Sequence, residues 1–108
     1  MVYVEVVGEI SRARLKEALQ FYKDNIYERD SENIGKAGGK LIGCWSTQYG
    51  RVGEVTFLLA FPDLEARQRM LESSSSDDKW QKDLRGWFEY CPSVTVKVMR
   101  PTTWSPLQ

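Results

Sequence analysis

Four segments of this chain repeat with the period of a strand and three with the period of a helix, and their order is what most restricts the fold. "VYVEVV" (Val2 to Val7) alternates, is rich in β-branched residues and is ended by Gly8, so it reads as a strand. Ser11 then offers an N-cap for Leu15, Ala18, Leu19, Tyr22 and Ile26, which recur at helical spacing over about five turns. "ERDSENIGKAGG" is polar and bears glycine, and it reads as an exposed loop that reverses the chain. Period two returns from Lys40 to Gln48, with Leu41, Gly43, Trp45 and Thr47 on one face and Ile42, Cys44, Ser46 and Gln48 on the other. "YGRVG" is a turn, and "EVTFLLAF" is a third strand whose unbroken apolar character implies burial on both faces. "PDLEARQRMLE" opens on a turn and cap signal and continues as a helix. "SSSSDD" interrupts it as a flexible linker, and Asp77 or Asp78 caps a further helix carrying Trp80, Leu84, Trp87 and Phe88 on one face. "SVTVKVMR" is the fourth strand, and "PTTWSPLQ" is an extended proline-bearing tail.

The order is β-α-β-β-α-β, an α+β ferredoxin-like unit with an antiparallel four-stranded sheet covered by helices on one face. One domain spans 1–100 and the tail spans 101–108, since a chain this short holds a single core. The strands are not polar on their second face: Tyr3, Glu5 and Val7 oppose Val2, Val4 and Val6, and the third strand is apolar throughout. An apolar face without a helix needs a partner, and a second copy of the same sheet supplies one, so a homodimer is expected.

The glycines and lysine of "IGKAGGKL" suggest a phosphate cradle, but the spacing is wrong. A P-loop needs four residues between its glycines and a hydroxyl after the lysine, whereas Gly35 and Gly39 leave three and Leu41 follows Lys40. Basic and acidic residues number 15 each, with neither half of the chain in excess, so the basic stripe of a nucleic-acid binder is missing. No apolar run approaches the ~20 residues that span a bilayer. "MVYVEVVGEI" has neither a basic n-region nor an Arg-rich presequence pattern. Cys44 and Cys91 form no zinc or disulfide pattern and are expected as two small buried thiols. Histidine is absent, which removes Ser-His and Cys-His nucleophile pairs and His-ligated metals together. No cofactor or metal is expected, and acid/base work would fall to Tyr, carboxylate, Lys, Arg or Cys.

"GGKLIGCWSTQYGRVGEV", "PDLEARQRML", "DDKWQ" and the closing "MRPTTWSPLQ" together resemble the NIPSNAP family, over about Gly39 to Gln108. The resemblance is carried by Gly-Lys-Leu, then Gly43, Trp45, Thr47, Tyr49 and Gly50 in order and spacing. At the tail it is carried by Pro101, Ser105, Pro106 and Leu107, as at the ends of animal members. It implies a dimeric α/β barrel, association with mitochondria, and roles in vesicle traffic or in marking damaged mitochondria for autophagy. A mitochondrial or a cytoplasmic location is therefore expected. Many relatives place Asn, His and Trp where this chain has Gly53, Phe57 and Leu59, so a polar constellation has become apolar here.

Relatives of this barrel often hold a small aromatic or polyketide-like ligand between sheet and helices. The candidate pocket residues are Tyr3, Glu5, Tyr22, Trp45, Tyr49 and Phe57. Each has a plainer account: a ring anchored by its hydroxyl for the tyrosines, a cross-strand or interface ion pair for Glu5, and core packing for Trp45 and Phe57. No catalytic residue is assigned. Trp104, Pro106 and Leu107 are the candidate partner contacts, because an apolar tail either docks across its own dimer or serves as a short motif for another protein. The leading expectation is a non-enzymatic homodimer acting through protein contacts. The rival is a cofactor-independent enzyme or a small-ligand carrier, marked by an open pocket with a buried Tyr or Glu.

Overall fold

In a computed structural model of residues 1–108, the four strand segments form one antiparallel sheet. The strands are β1 (Val2–Glu9), β2 (Lys40–Ser46), β3 (Glu54–Phe61) and β4 (Ser93–Met99), in the order β2-β3-β1-β4. With its helices on one face, this is the expected α+β ferredoxin-like arrangement. β1 and β3 are central, and their register pairs Val2 with Phe61, Val4 with Leu59 and Val6 with Phe57. Opposed residues of an antiparallel pair share a face, so these six side chains form the floor under the helices. Val4, Val55 and Phe61 there are almost wholly buried.

β2 departs from simple alternation. A bulge between Leu41 and Gly43 inserts Ile42, so Leu41 lies opposite Leu59 on the helix face while Gly43 and Trp45 lie opposite Leu58 and Thr56 on the open face. One extra residue moves every later side chain across the sheet. Trp45 is therefore not grouped with Leu41, as period two alone required. The strand also stops at Ser46, and Thr47 N–H already bonds Glu54 in the hairpin. Gly53 closes that hairpin at φ 111°, where a Cβ would come within 2.5 Å of the Ile10 carbonyl oxygen.

The helical layer is larger than the periodicity indicates. Ser11 makes no side-chain cap. A 3-10 turn (Arg12–Arg14) intervenes, with Arg14 N–H on the Ser11 carbonyl, and helix α1 runs Leu15–Asn25. The segment read as a loop is helix α2 (Tyr27–Lys36). Its first turn carries Glu28 and Asp30 and its last carries Lys36, as the helix dipole favours. Its ending is a Schellman motif: Gly38 N–H bonds the Gly35 carbonyl at 2.9 Å and Gly39 N–H bonds that of Ile34 at 2.9 Å, with Gly38 at φ 79°. The glycines thus end a helix instead of making a loop. Ile26 and Ile34, both buried, anchor its ends in the core.

Asp63 caps α3 (Leu64–Ser74) by accepting from Ala66 N–H at 2.8 Å, and Asp77, not Asp78, caps α4 (Asp78–Tyr90) by accepting from Trp80 N–H at 3.1 Å. Ser73 and Ser74 belong to α3, their hydroxyls bonding back to the Met70 carbonyl, so only a short turn of the serine run links the helices. No helix is long and apolar enough to cross a membrane.

Candidate functional site

The helices cover β1 and β3 but leave β4 bare. Val94, Val96 and Val98 point to the helix side, in register with Gly8, Val6 and Val4, yet are 37%, 50% and 43% exposed. Beside this strip, between α3, α4 and the sheet, opens a pocket of about 320 Å³. Its floor is Val4, Val6, Phe57 and Leu59, and α4 supplies Trp80, Leu84 and Trp87 from above. Arg67, Met70 and Ser74 enter from one face of α3 at helical spacing. The volume falls in the range of small-molecule sites, as does the mainly apolar lining.

At the inner wall α1 and α2 meet at a corner filled by Ile26. There the Tyr22 hydroxyl donates to Asp30 Oδ2 at 3.0 Å. The Tyr22 ring stands 5.0 Å from Phe57 and 5.2 Å from Trp87, centre to centre, and only 7% of Tyr22 is exposed. Burial, then the negative charge of Asp30, push the Tyr22 phenol far above its ordinary range. Burial also raises the Asp30 carboxyl, and the bond from Tyr22 opposes that rise only in part. The pair keeps the phenolic proton in place and the Asp30 carboxyl above its ordinary value. Asn33 and Gln81 complete the polar lining, Gln81 being held by its bond to the Ser74 carbonyl. An ion pair from Arg29 to Asp77 ties α2 to the cap of α4 and so fixes the two walls against each other.

Two of the six residues singled out from sequence, Tyr22 and Phe57, line this pocket. The others lie elsewhere. Tyr3 is on the open face with its hydroxyl bonded to the main-chain oxygen of Gln108 at 2.7 Å. Glu5 shares that face and pairs with Lys97 at 3.8 Å, directly across β4. Trp45 is 53% exposed, and its ring lies so close over Gly43 that a Cβ there would meet it at 2.6 Å, so the bulge removes it from the pocket wall. Tyr49 stands 91% exposed in the β2–β3 hairpin. Trp104 and Leu107 in the tail are 81% and 59% exposed, and Pro106 is exposed beside them. Cys91 is buried but Cys44 is exposed on the edge strand β2, so only one thiol is a core residue.

Asp30 and Arg67 are not among the candidates that the sequence offers, and Trp80 and Trp87 stand there only as the apolar face of their helix. One signal was available for Asp30: it falls midway between Ile26 and Ile34 at helical spacing, the one polar position on that buried stripe.

The NIPSNAP family model matches residues 9–106. A NIPSNAP family protein of unknown function from Agrobacterium tumefaciens has 21% sequence identity, with 100% of this chain and 94% of that one covered at TM-score 0.88. An uncharacterized NIPSNAP domain protein from Burkholderia xenovorans has 23% identity, covering 98% and 99% at TM-score 0.83. A dimeric ferredoxin-like protein from an uncultured marine organism has 13% identity, covering 96% and 92% at TM-score 0.69. A comparison with curated proteins found no match.

Proposed function

The chain belongs to the NIPSNAP family, and from that premise we propose that it is a homodimeric protein that holds a small apolar molecule between its helices and its sheet. The observation that carries this reading is the pocket itself, open beside bare β4 and apolar except for a few polar groups around its wall. The reading is of a holder more than a catalyst, since the Tyr22 proton is committed to Asp30. Dimerisation is supported by the half-exposed Val7 and Leu58 on the open face and by the dimeric relative from the marine organism.

The test uses the four tryptophans as reporters. Titration with octan-1-ol, followed by the indole N–H signals in NMR, is expected to shift Trp80 and Trp87 in the pocket and to leave Trp45 and Trp104 unmoved. No shift, or an equal shift of all four, removes the reading.

The exposed tail favours a second role. Trp104 and Leu107 present an apolar surface to another protein, in association with mitochondria as the family resemblance implies, in vesicle traffic or in marking mitochondria for autophagy. Native partners retained by the whole chain and lost on removal of 101–108 would support it; identical partners for both forms would not.

A further inference from the structure

Arg67 differs from the other charged groups around the pocket. The ion pairs of the chain are Arg14–Glu17, Arg29–Asp77, Arg51–Glu9, Lys79–Asp83 and Lys97–Glu5, and none includes Arg67. It makes no side-chain hydrogen bond to Asp63, the acid one turn before it, whose Oδ1 instead accepts from Ala66 N–H. A guanidinium cannot shed its charge, and its five N–H donors form a planar fork matched to a carboxylate. Half-buried at the pocket, Arg67 keeps its fork within reach of solvent while the pocket is open. An apolar body filling the pocket strips water from that fork, and an unpaired charged donor taken from water is costly. The occupant that avoids this cost brings its own anion.

Asp30, the carboxylate of the pocket, is placed otherwise. One of its oxygens already accepts from Tyr22, and no cation acts on it. The two charged groups thus differ in engagement: Asp30 already accepts from Tyr22 inside the protein, and Arg67 is open to a ligand.

We propose, resting on the pocket reading above, that the ligand is an amphipathic monocarboxylate, its head held by Arg67 and its apolar body on Phe57, Leu59 and Trp87. Taking the ~30 Å³ share of a liquid water as a loose allowance per non-hydrogen atom, the cavity takes a body of about ten such atoms. A medium-chain acid or a single-ring aromatic acid has that size. Charge-assisted, bidentate pairing fixes which end enters first.

Three probes of one length and different heads test this on the unaltered protein: octanoate, octan-1-ol and octylammonium, with affinities read from the Trp80 and Trp87 indole signals. Octanoate is expected to bind roughly tenfold more tightly than octan-1-ol, the factor that one charge-assisted contact supplies. Arg67→Met removes the fork and should erase that preference from both sides, loosening octanoate and tightening octan-1-ol, which no longer strips water from a charged donor, and Arg67→Lys should keep part of it. Equal affinity for octanoate and octan-1-ol, tightest binding of octylammonium, or a preference that survives Arg67→Met overturns the carboxylate assignment and leaves the pocket reading standing. Failure of all three to bind removes both.

Discussion

Tyr22 on α1 donates its hydroxyl to Asp30 on α2, eight residues further on, at 3.0 Å across the corner that Ile26 fills. The bond joins two helices that meet without a loop, and it does so at the wall of the apolar pocket. Replacing Tyr22 with Phe keeps the ring between Phe57 and Trp87 but leaves a half-buried carboxylate without its donor. The expected loss is about 1–3 kcal/mol in urea unfolding at neutral pH. A loss of zero would mean that water replaces the hydroxyl without penalty.

The same pair gives stability a pH dependence of unusual sign for an acid. Burial raises the Asp30 carboxyl above its ordinary value of 3.8, so the folded protein binds this proton more tightly than the unfolded chain. The contribution of Asp30 is therefore complete at low pH and is lost as pH rises from the ordinary carboxylate range through the raised folded value. Asp30→Asn retains an acceptor for Tyr22 and cannot ionise. Its stability relative to the natural protein should improve from pH 4 to pH 7; a relative stability that stays flat or falls over that range would show that the Asp30 carboxyl is not raised by folding.

Gly8 on β1 faces Cys91, and a Cβ built at Gly8 would lie 2.3 Å from the Cys91 Sγ. Both residues are buried, so neither atom has room to move. Gly8→Ala should cost about 1–3 kcal/mol by overpacking. Cys91→Ala removes the sulfur and should recover part of that loss in the double variant. The coupling, read from denaturant midpoints in a double-mutant cycle, is expected to be favourable; strict additivity would show that the sheet shifts to make room instead.

Ile34 has no exposed surface, although it lies in a stretch whose composition is that of a loop. Ile34→Ala should cost about 2–5 kcal/mol, a large part of the ~5–15 kcal/mol that holds a domain of this size. An exposed-loop residue would cost almost nothing, so the same unfolding experiment separates the two accounts of residues 27–36.

That segment marks where the sequence ceased to be legible. The four strands could be read because two-residue periodicity survives without knowledge of neighbours, and Asp63 and Asp77 could be read because capping is local. α2 could not, because Ile34 is the one fully buried residue of its ten and the half-buried ones, Arg29, Asp30, Ser31 and Asn33, are all polar, so its helical state depends on tertiary contacts that propensity does not contain. The bulge at Ile42 had the same effect on the site, since a single unpaired residue moves Trp45 from the helix side to the open face. Of the pocket, Tyr22 and Phe57 were visible as aromatic residues with a purpose to find, while Asp30 lay in the misread helix. Arg67 could not be distinguished from any other helix-surface arginine until α3 was placed over the sheet.

The open face gives a prediction about assembly. Leu58 lies at its centre, opposite Glu5 on β1 and Gly43 on β2, with the Trp45 ring beside it. These groups are half-buried within one chain, and Trp45 is 53% exposed, so contact with a second sheet removes apolar surface at about 25 cal/mol per Å². Leu58→Lys places a charge in the middle of that contact while leaving the helix-side core of Val55, Phe57 and Leu59 untouched. Sedimentation at micromolar concentration should find a dimer for the natural chain and a folded monomer for the variant, with unchanged circular dichroism. Dimerisation should also shift Trp45 emission to the blue, and the shift should be absent in Leu58→Lys. A natural chain that sediments as a monomer would mean that the half-buried apolar groups on this face are covered well enough by their neighbours and by the tail that bonds Tyr3, and that no second copy is needed.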